Sequence, residues 1–209
     1  MEEKIGSITE TKAFEQLGIL VLDGSGSMAT TGETGLTKAN EVNNAVRGLI
    51  SRLKVSRLKE NFYLSVVTYD DKVNKERLVP TTISQIDETT DFDPTNGHGE
   101  GTAIGDALEA AGTVADEFLS EQKSFPRSVV IVLMTDGQNN SGKDPVEVSR
   151  NIKSSGKRIN VCAAGYGKSE EIDSLTLQKL VTDGSGYVRA YDPEALRKFF
   201  EASVSRIKG

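Results

Sequence analysis

Asp23, Ser25 and Ser27 occupy alternate positions in the stretch Asp23-Gly24-Ser25-Gly26-Ser27, one carboxylate and two hydroxyls separated by glycines. The apolar run 19–22 directly before them reads as a buried strand, so the three oxygens leave a strand end together. Glycine lets the backbone turn tightly and come close to a bound group. Small oxygen ligands on such a turn suit a hard cation such as magnesium, which prefers oxygen and keeps several waters. Three oxygens do not complete a site. Thr102, which follows Gly101 and opens a helical pattern, and Asp136, within Thr135-Asp136-Gly137 at the end of another apolar run, supply two more.

Taken singly, each piece has a plain structural reading. Asp and Ser in a strand-to-helix turn satisfy backbone donors, threonine before a helix is an ordinary N-cap, and Asp-Gly is a common turn pair. Taken together, in this order and at strand ends, they resemble the metal ion-dependent adhesion site (MIDAS) of von Willebrand factor type A (VWA) domains. The resemblance covers nearly the whole chain and implies a bacterial-type, stand-alone member with an intact MIDAS. It implies metal ligation by Asp23, Ser25, Ser27, Thr102 and Asp136, the serines directly, the threonine directly or through water, the aspartates often through water. The expected ion is Mg2+, with Mn2+ or Ca2+ as alternatives. Two carboxylates just balance a divalent ion, so the metal stays electrophilic and keeps a position for an Asp or Glu of a partner protein. The resemblance further implies work inside an intracellular multiprotein assembly, with an AAA+ ATPase or a kinase/phosphatase module as partner. A surface or secreted adhesion domain cut from a longer chain is the alternative.

The elements that must hold these residues follow from periodicity. Strands are expected at 17–22, 62–69, 129–134, 158–164 and 187–191, with a charged edge strand at 73–79. Helices are expected at 37–54, 102–119, 145–155, 172–182 and from 193 through 207, with a short one near 83–88. Strands alternating with helices argue for an α/β fold with a mainly parallel sheet and helices on both faces. The VWA resemblance makes this a doubly wound, six-stranded sheet in the order 3-2-1-4-5-6 with strand 3 antiparallel. Asp23 and Asp136 would then end the two strands that flank the reversal of strand order, where open sheets bind ligands. Residues 1–13 read as a polar lead-in and 14–209 as a single domain.

Composition narrows the classes. The 209 residues carry a formal net charge of −6, which disfavours a nucleic-acid surface. No apolar run is long enough to span a membrane. The amino terminus has no apolar h-region of a secretory signal, so a cytoplasmic location is the expectation. Cys162, the single cysteine, reads as a small buried apolar residue.

Other motifs weigh less. Gly165-Tyr166-Gly167-Lys168-Ser169 resembles the end of a phosphate loop, but position 162, which should be glycine, is Cys162. Asp91-Phe92-Asp93-Pro94 misses the calcium-loop pattern and reads as an acidic loop. Asp70 and Asp71 read as turn residues, Asp106 as support for Thr102, and His98, the sole histidine, as a solvated loop residue. A metal-dependent phosphohydrolase with Asp23 as nucleophile is the competing enzyme class. It lacks a second carboxylate at position 25 and has no histidine to spare for a triad, so no enzyme activity is expected.

Overall fold

A computed structural model describes residues 12–168 and 170–205, apart from the side chain of Glu76. Among the described residues, six strands form one sheet in the order β3-β2-β1-β4-β5-β6. They are β1 (Glu15–Asp23), β2 (Phe62–Tyr69), β3 (Val73–Thr82), β4 (Arg127–Thr135), β5 (Ile159–Tyr166) and β6 (Tyr187–Ala190). Every pairing is parallel except β2 with β3, where two register shifts interrupt the ladder. Among the described residues there are five α-helices, the first four linking strands and the last following β6: α1 (Lys38–Lys54), α2 (Ile104–Ser120), α3 (Pro145–Ser154), α4 (Ser174–Leu180) and α5 (Pro193–Val204).

The central strand shows why the sheet is covered on both sides. All nine residues of β1 are buried, and successive side chains point to opposite faces. Leu17, Ile19 and Val21 join Ile104, Leu108, Ala111 and Leu177 beneath α2 and α4. Leu20 and Leu22 join Val42, Val46, Leu49, Phe200 and Val204 beneath α1 and α5. Gly18 lies on the second face, where an added Cβ would sit 2.7 Å from Val204 Cγ2. The glycine is what lets α5 approach the sheet so closely.

Helix starts follow local chemistry. Thr37, Asp144, Asp173 and Asp192 each accept a hydrogen bond from an amide of the first turn they precede, worth about 1 kcal/mol apiece. Pro145 and Pro193 occupy the first helical position, where proline's missing N–H costs nothing.

Several expected boundaries shift. β1, β4 and β5 run further than their apolar cores, because hydrogen-bonded pairing continues past the hydrophobic residues. β3 extends through Pro80 to Thr82, tolerated on a sheet edge. The helix expected at 83–88 is only a 3-10 turn, Ile83–Gln85. α4 is shorter than expected, and α5 ends at Val204, so Ile207 and most of the polar lead-in lie outside the described residues.

Candidate metal centre

β1 and β4 are adjacent and parallel, with Leu22 opposite Met134, so Asp23 and Asp136 emerge side by side from the carboxyl edge of the sheet. Strand order reverses between these two strands. Both side chains are buried, as is Ser25. Asp23 Oδ1 accepts from the Ser25 amide at 2.8 Å and Oδ2 from Thr135 Oγ1 at 2.5 Å. Ser25 Oγ lies 3.1 Å from Ser27 Oγ, which donates to Asp136 Oδ1 at 2.7 Å. Four of the five expected residues are thus joined in one hydrogen-bonded chain.

Thr102 arrives on a neighbouring loop. Gly26 N donates to Glu100 O, and Gly24 N to Tyr69 O, binding the 24–27 turn between β2 and the segment that leads to Thr102. A Cβ on Gly24 would lie 2.2 Å from Pro94 O, and one on Gly26 2.9 Å from Gly99 O. These two glycines are therefore fixed by the loop pressed against them. Thr102 is not the N-cap of α2, contrary to the plain structural reading. Ala103 holds that position and makes no side-chain cap. Asn139 Oδ1 accepts from Ile104 N and Asn140 Oδ1 from Thr102 N, both at 2.8 Å. Thr102 is 5% exposed. Asp106 accepts from Lys143 N, bracing the loop that carries both asparagines.

A second device holds the Thr102 segment. Asp70, buried at the end of β2, accepts from Gly99 N and Glu100 N through Oδ2 at 3.0 and 3.2 Å, and from Lys72 N through Oδ1. His98 Nδ1 lies 2.8 Å from Asp70 Oδ1, and Nε2 lies 3.0 Å from Thr68 Oγ1. The His98 side chain is 5% exposed. The expectation of a solvated loop histidine is therefore wrong: both ring nitrogens have partners inside the protein. Asp70, read from sequence as a turn residue, is the anchor of the loop, while Asp71 is exposed. Burial opposes ionisation of Asp70, but the His98 ring and the three amides outweigh it and hold its carboxyl well below the usual range. Asp70, His98 and Thr68 line up like a catalytic relay. Thr68 is 1% exposed, so no substrate reaches its hydroxyl.

Lys38, the first residue of α1, was not foreseen as part of the site. Its Nζ lies 2.8 Å from Asp136 Oδ2 and 3.0 Å from Glu171 Oε2, with the lysine side chain 9% exposed. Burial pushes the ammonium's pKa down, but Asp136 and Glu171 more than reverse this and the net shift is upward. A lysine in the first helical turn opposes the helix dipole. That local conflict is the one sequence signal that could have marked it.

The donor set fits a divalent cation. Ser25 Oγ, Ser27 Oγ and Asp136 Oδ1 are held by hydrogen bonds of 3.1 and 2.7 Å, close enough together for one hard cation to contact all three. Electrostatics agrees. Burial is the chief cause pushing the Asp23 pKa up to about 6, and the nearby Asp136 charge adds to it, against the Thr135 and Ser25 hydrogen bonds. Crowded buried carboxylates of this kind are what a cation relieves. Among the described residues no group of three or more His, Cys, Asp and Glu side chains is placed to hold a metal, so any site here depends on its hydroxyls. Asp91 and Asp93 accept hydrogen bonds from amides of their own loop, and Cys162 is buried in β5 as expected.

Comparison with curated proteins gave no match. Solved structures with the same fold include proximal thread matrix protein 1 from the mussel byssus, with TM-score 0.63 and 21% identity over 92% of this chain and 45% of that one. A further structure of that protein is described as having a zinc-occupied MIDAS motif. The pilus adhesin SpaC from Lactobacillus rhamnosus GG matches with TM-score 0.74 and 12% identity, over 93% of this chain and 30% of that one. An aerotolerance-related membrane protein from Bacteroides fragilis matches with TM-score 0.64 and 18% identity, over 91% and 99%. This chain thus spans less than half of the first two. The family model of the von Willebrand factor type A domain matches residues 19–207, and the chain belongs to that family.

Proposed function

We propose that this VWA domain holds a divalent cation through Asp23, Ser25, Ser27, Thr102 and Asp136 and uses it to capture an acidic side chain of a partner protein. The observation that carries this reading is the convergence of the Ser25, Ser27 and Asp136 oxygens beside Asp23 at the sheet's reversal point. VWA domains are protein-interaction and adhesion modules, which agrees with it. Mg2+ is the ion of choice, since hydroxyls and carboxylates are hard ligands, with Mn2+ or Ca2+ as alternatives. The bound ion would supply a Lewis-acidic position for the incoming carboxylate. The chain's own residues orient the shell: Thr135 and the Ser25 amide fix Asp23, Asn140 fixes the Thr102 backbone, and Asp70 with His98 fixes the loop.

The reading is non-enzymatic. The one histidine is enclosed between Asp70 and Thr68. We propose a cytoplasmic location, as the amino-terminal sequence suggests, and by family analogy a bacterial-type stand-alone domain serving an AAA+ ATPase or a kinase/phosphatase module. A second reading, a surface adhesion domain within a longer chain, draws on the likeness to a pilus adhesin of which this chain covers 30%.

Affinity capture from native lysate, with magnesium, with EDTA and with Thr102→Ala, tests the proposal. A partner held with magnesium and lost in the other two supports it. A partner retained in all three refutes metal-bridged recognition.

A further inference from the structure

Lys38 places a buried cation inside a site built for another cation. Its Nζ holds Asp136 Oδ2, while Asp136 Oδ1 remains turned toward Ser27 and the rest of the oxygen set. The two roles of Asp136 are therefore served by different oxygens, and the lysine can stay in place when a metal enters. Its stem runs past Gly167 and its backbone amide donates to Thr30 O. Its ion-pair partners are Asp136 within the protein and Glu171 outside, the latter with its side chain 49% exposed; Glu33, Glu41 and Lys168 line the same small cavity as Lys38.

From this geometry we infer that Lys38 makes binding of the metal and binding of an acidic ligand mutually dependent, an inference that rests on the metal reading above. Asp23 and Asp136 alone would neutralise a divalent ion. Lys38 offsets one of those negative charges, and Glu171, 3.0 Å away but with its side chain 49% exposed, returns only a solvent-screened part of it, so the loaded site keeps an excess of positive charge. A third anion, supplied from outside, restores neutrality. The metal alone binds weakly, the carboxylate alone has no electrophile, and the pair binds together. Glu171 moderates the effect by drawing part of the lysine's charge toward solvent. By reciprocity, whatever the carboxylate adds to metal affinity the metal adds to carboxylate affinity.

Mn2+ titration followed by calorimetry or electron paramagnetic resonance, with and without excess acetate, reads this directly. Replacing the ammonium by a neutral side chain of similar length, Lys38→Met, is expected to tighten Mn2+ binding by ~10-fold or more in the absence of acetate, given the size of unscreened charge interactions at this range. It should also flatten the acetate dependence seen in the wild type. Glu171→Gln should act in the opposite direction, weakening Mn2+ alone by roughly 3-fold and steepening the acetate dependence. Opposite signs follow from any two opposite charges this near the ion; a merely structural ion pair would leave the acetate dependence unchanged in both variants. If Lys38→Met fails to fold, Glu171→Gln still decides the question. Unchanged Mn2+ affinity in both variants, with binding abolished by Asp23→Asn, overturns this inference and leaves the metal site standing. Absence of Mn2+ binding in the wild type and both variants, even with acetate, overturns the metal reading and this inference with it.

Discussion

His98 Nδ1 and Asp70 Oδ1 meet at 2.8 Å across two loops, and the pair fixes the segment that delivers Thr102. The same carboxylate takes the amides of Lys72, Gly99 and Glu100. One buried side chain thus closes the hydrogen bonding of a loop that has no regular structure of its own.

Asp70→Ala should cost about 3 kcal/mol of stability in urea unfolding, because it leaves several buried donors unmatched. The pH dependence has a definite sign. A carboxyl whose folded pKa is depressed stabilises the fold above its unfolded pKa of about 4, and that contribution is lost progressively as the pH falls below it. The wild-type excess over Asp70→Ala should shrink in acid. A constant difference down to low pH would contradict the assignment.

Asp23 should behave in the opposite way without metal. Its folded pKa of about 6 lies above the ordinary 3.8, so between those values the folded state holds a proton that the unfolded state has released. Stability in EDTA should therefore rise as the pH falls from 7 toward 4, by on the order of 2–3 kcal/mol relative to Asp23→Asn. Mn2+ affinity should fall over the same interval, since the ion requires the carboxylate. Parallel urea titrations of the two proteins check the first part, and metal titrations at the same pH values the second.

Thr102→Ala should separate function from fold. The bonds at this position run through its backbone, to Asn140, so removing the hydroxyl should cost less than about 1 kcal/mol. Metal and partner binding should nevertheless be lost. Asn140→Ala, by contrast, should lower the urea midpoint while keeping a Thr102 side chain that is now poorly placed.

Gly18→Ala should destabilise by about 1–3 kcal/mol, through collision with Val204. Adding Val204→Ala should recover part of that loss. Simple additivity of the two changes would mean that α5 does not press on β1 as described.

Much of this was legible in the sequence, and the reasons differ by element. The strands that carry Asp23 and Asp136 announce themselves because parallel central strands are apolar on both faces. The convergence of Asp23, Ser25, Ser27 and Asp136 was readable because these residues lie at strand ends, where punctuation by glycine is strong. His98 and Asp70 were misread because no local pattern distinguishes a solvated loop from one folded back on a buried carboxylate; only the tertiary approach of β2 to the 94–102 segment does so. Lys38 and Asn139–Asn140 escaped for a related reason. Their roles depend on partners 98, 35 and 38 positions away, respectively, and charge or amide chemistry at a helix start does not name its partner.

The most direct test of the central claim is a crystal grown or soaked with Mn2+ and acetate, with anomalous diffraction measured near the manganese edge. The account predicts one strong anomalous peak among Asp23, Ser25, Ser27, Thr102 and Asp136, with an acetate oxygen in its coordination shell and Lys38 still beside Asp136. Absence of a peak there, or a peak confined to exposed acidic loops such as 91–93, would contradict it.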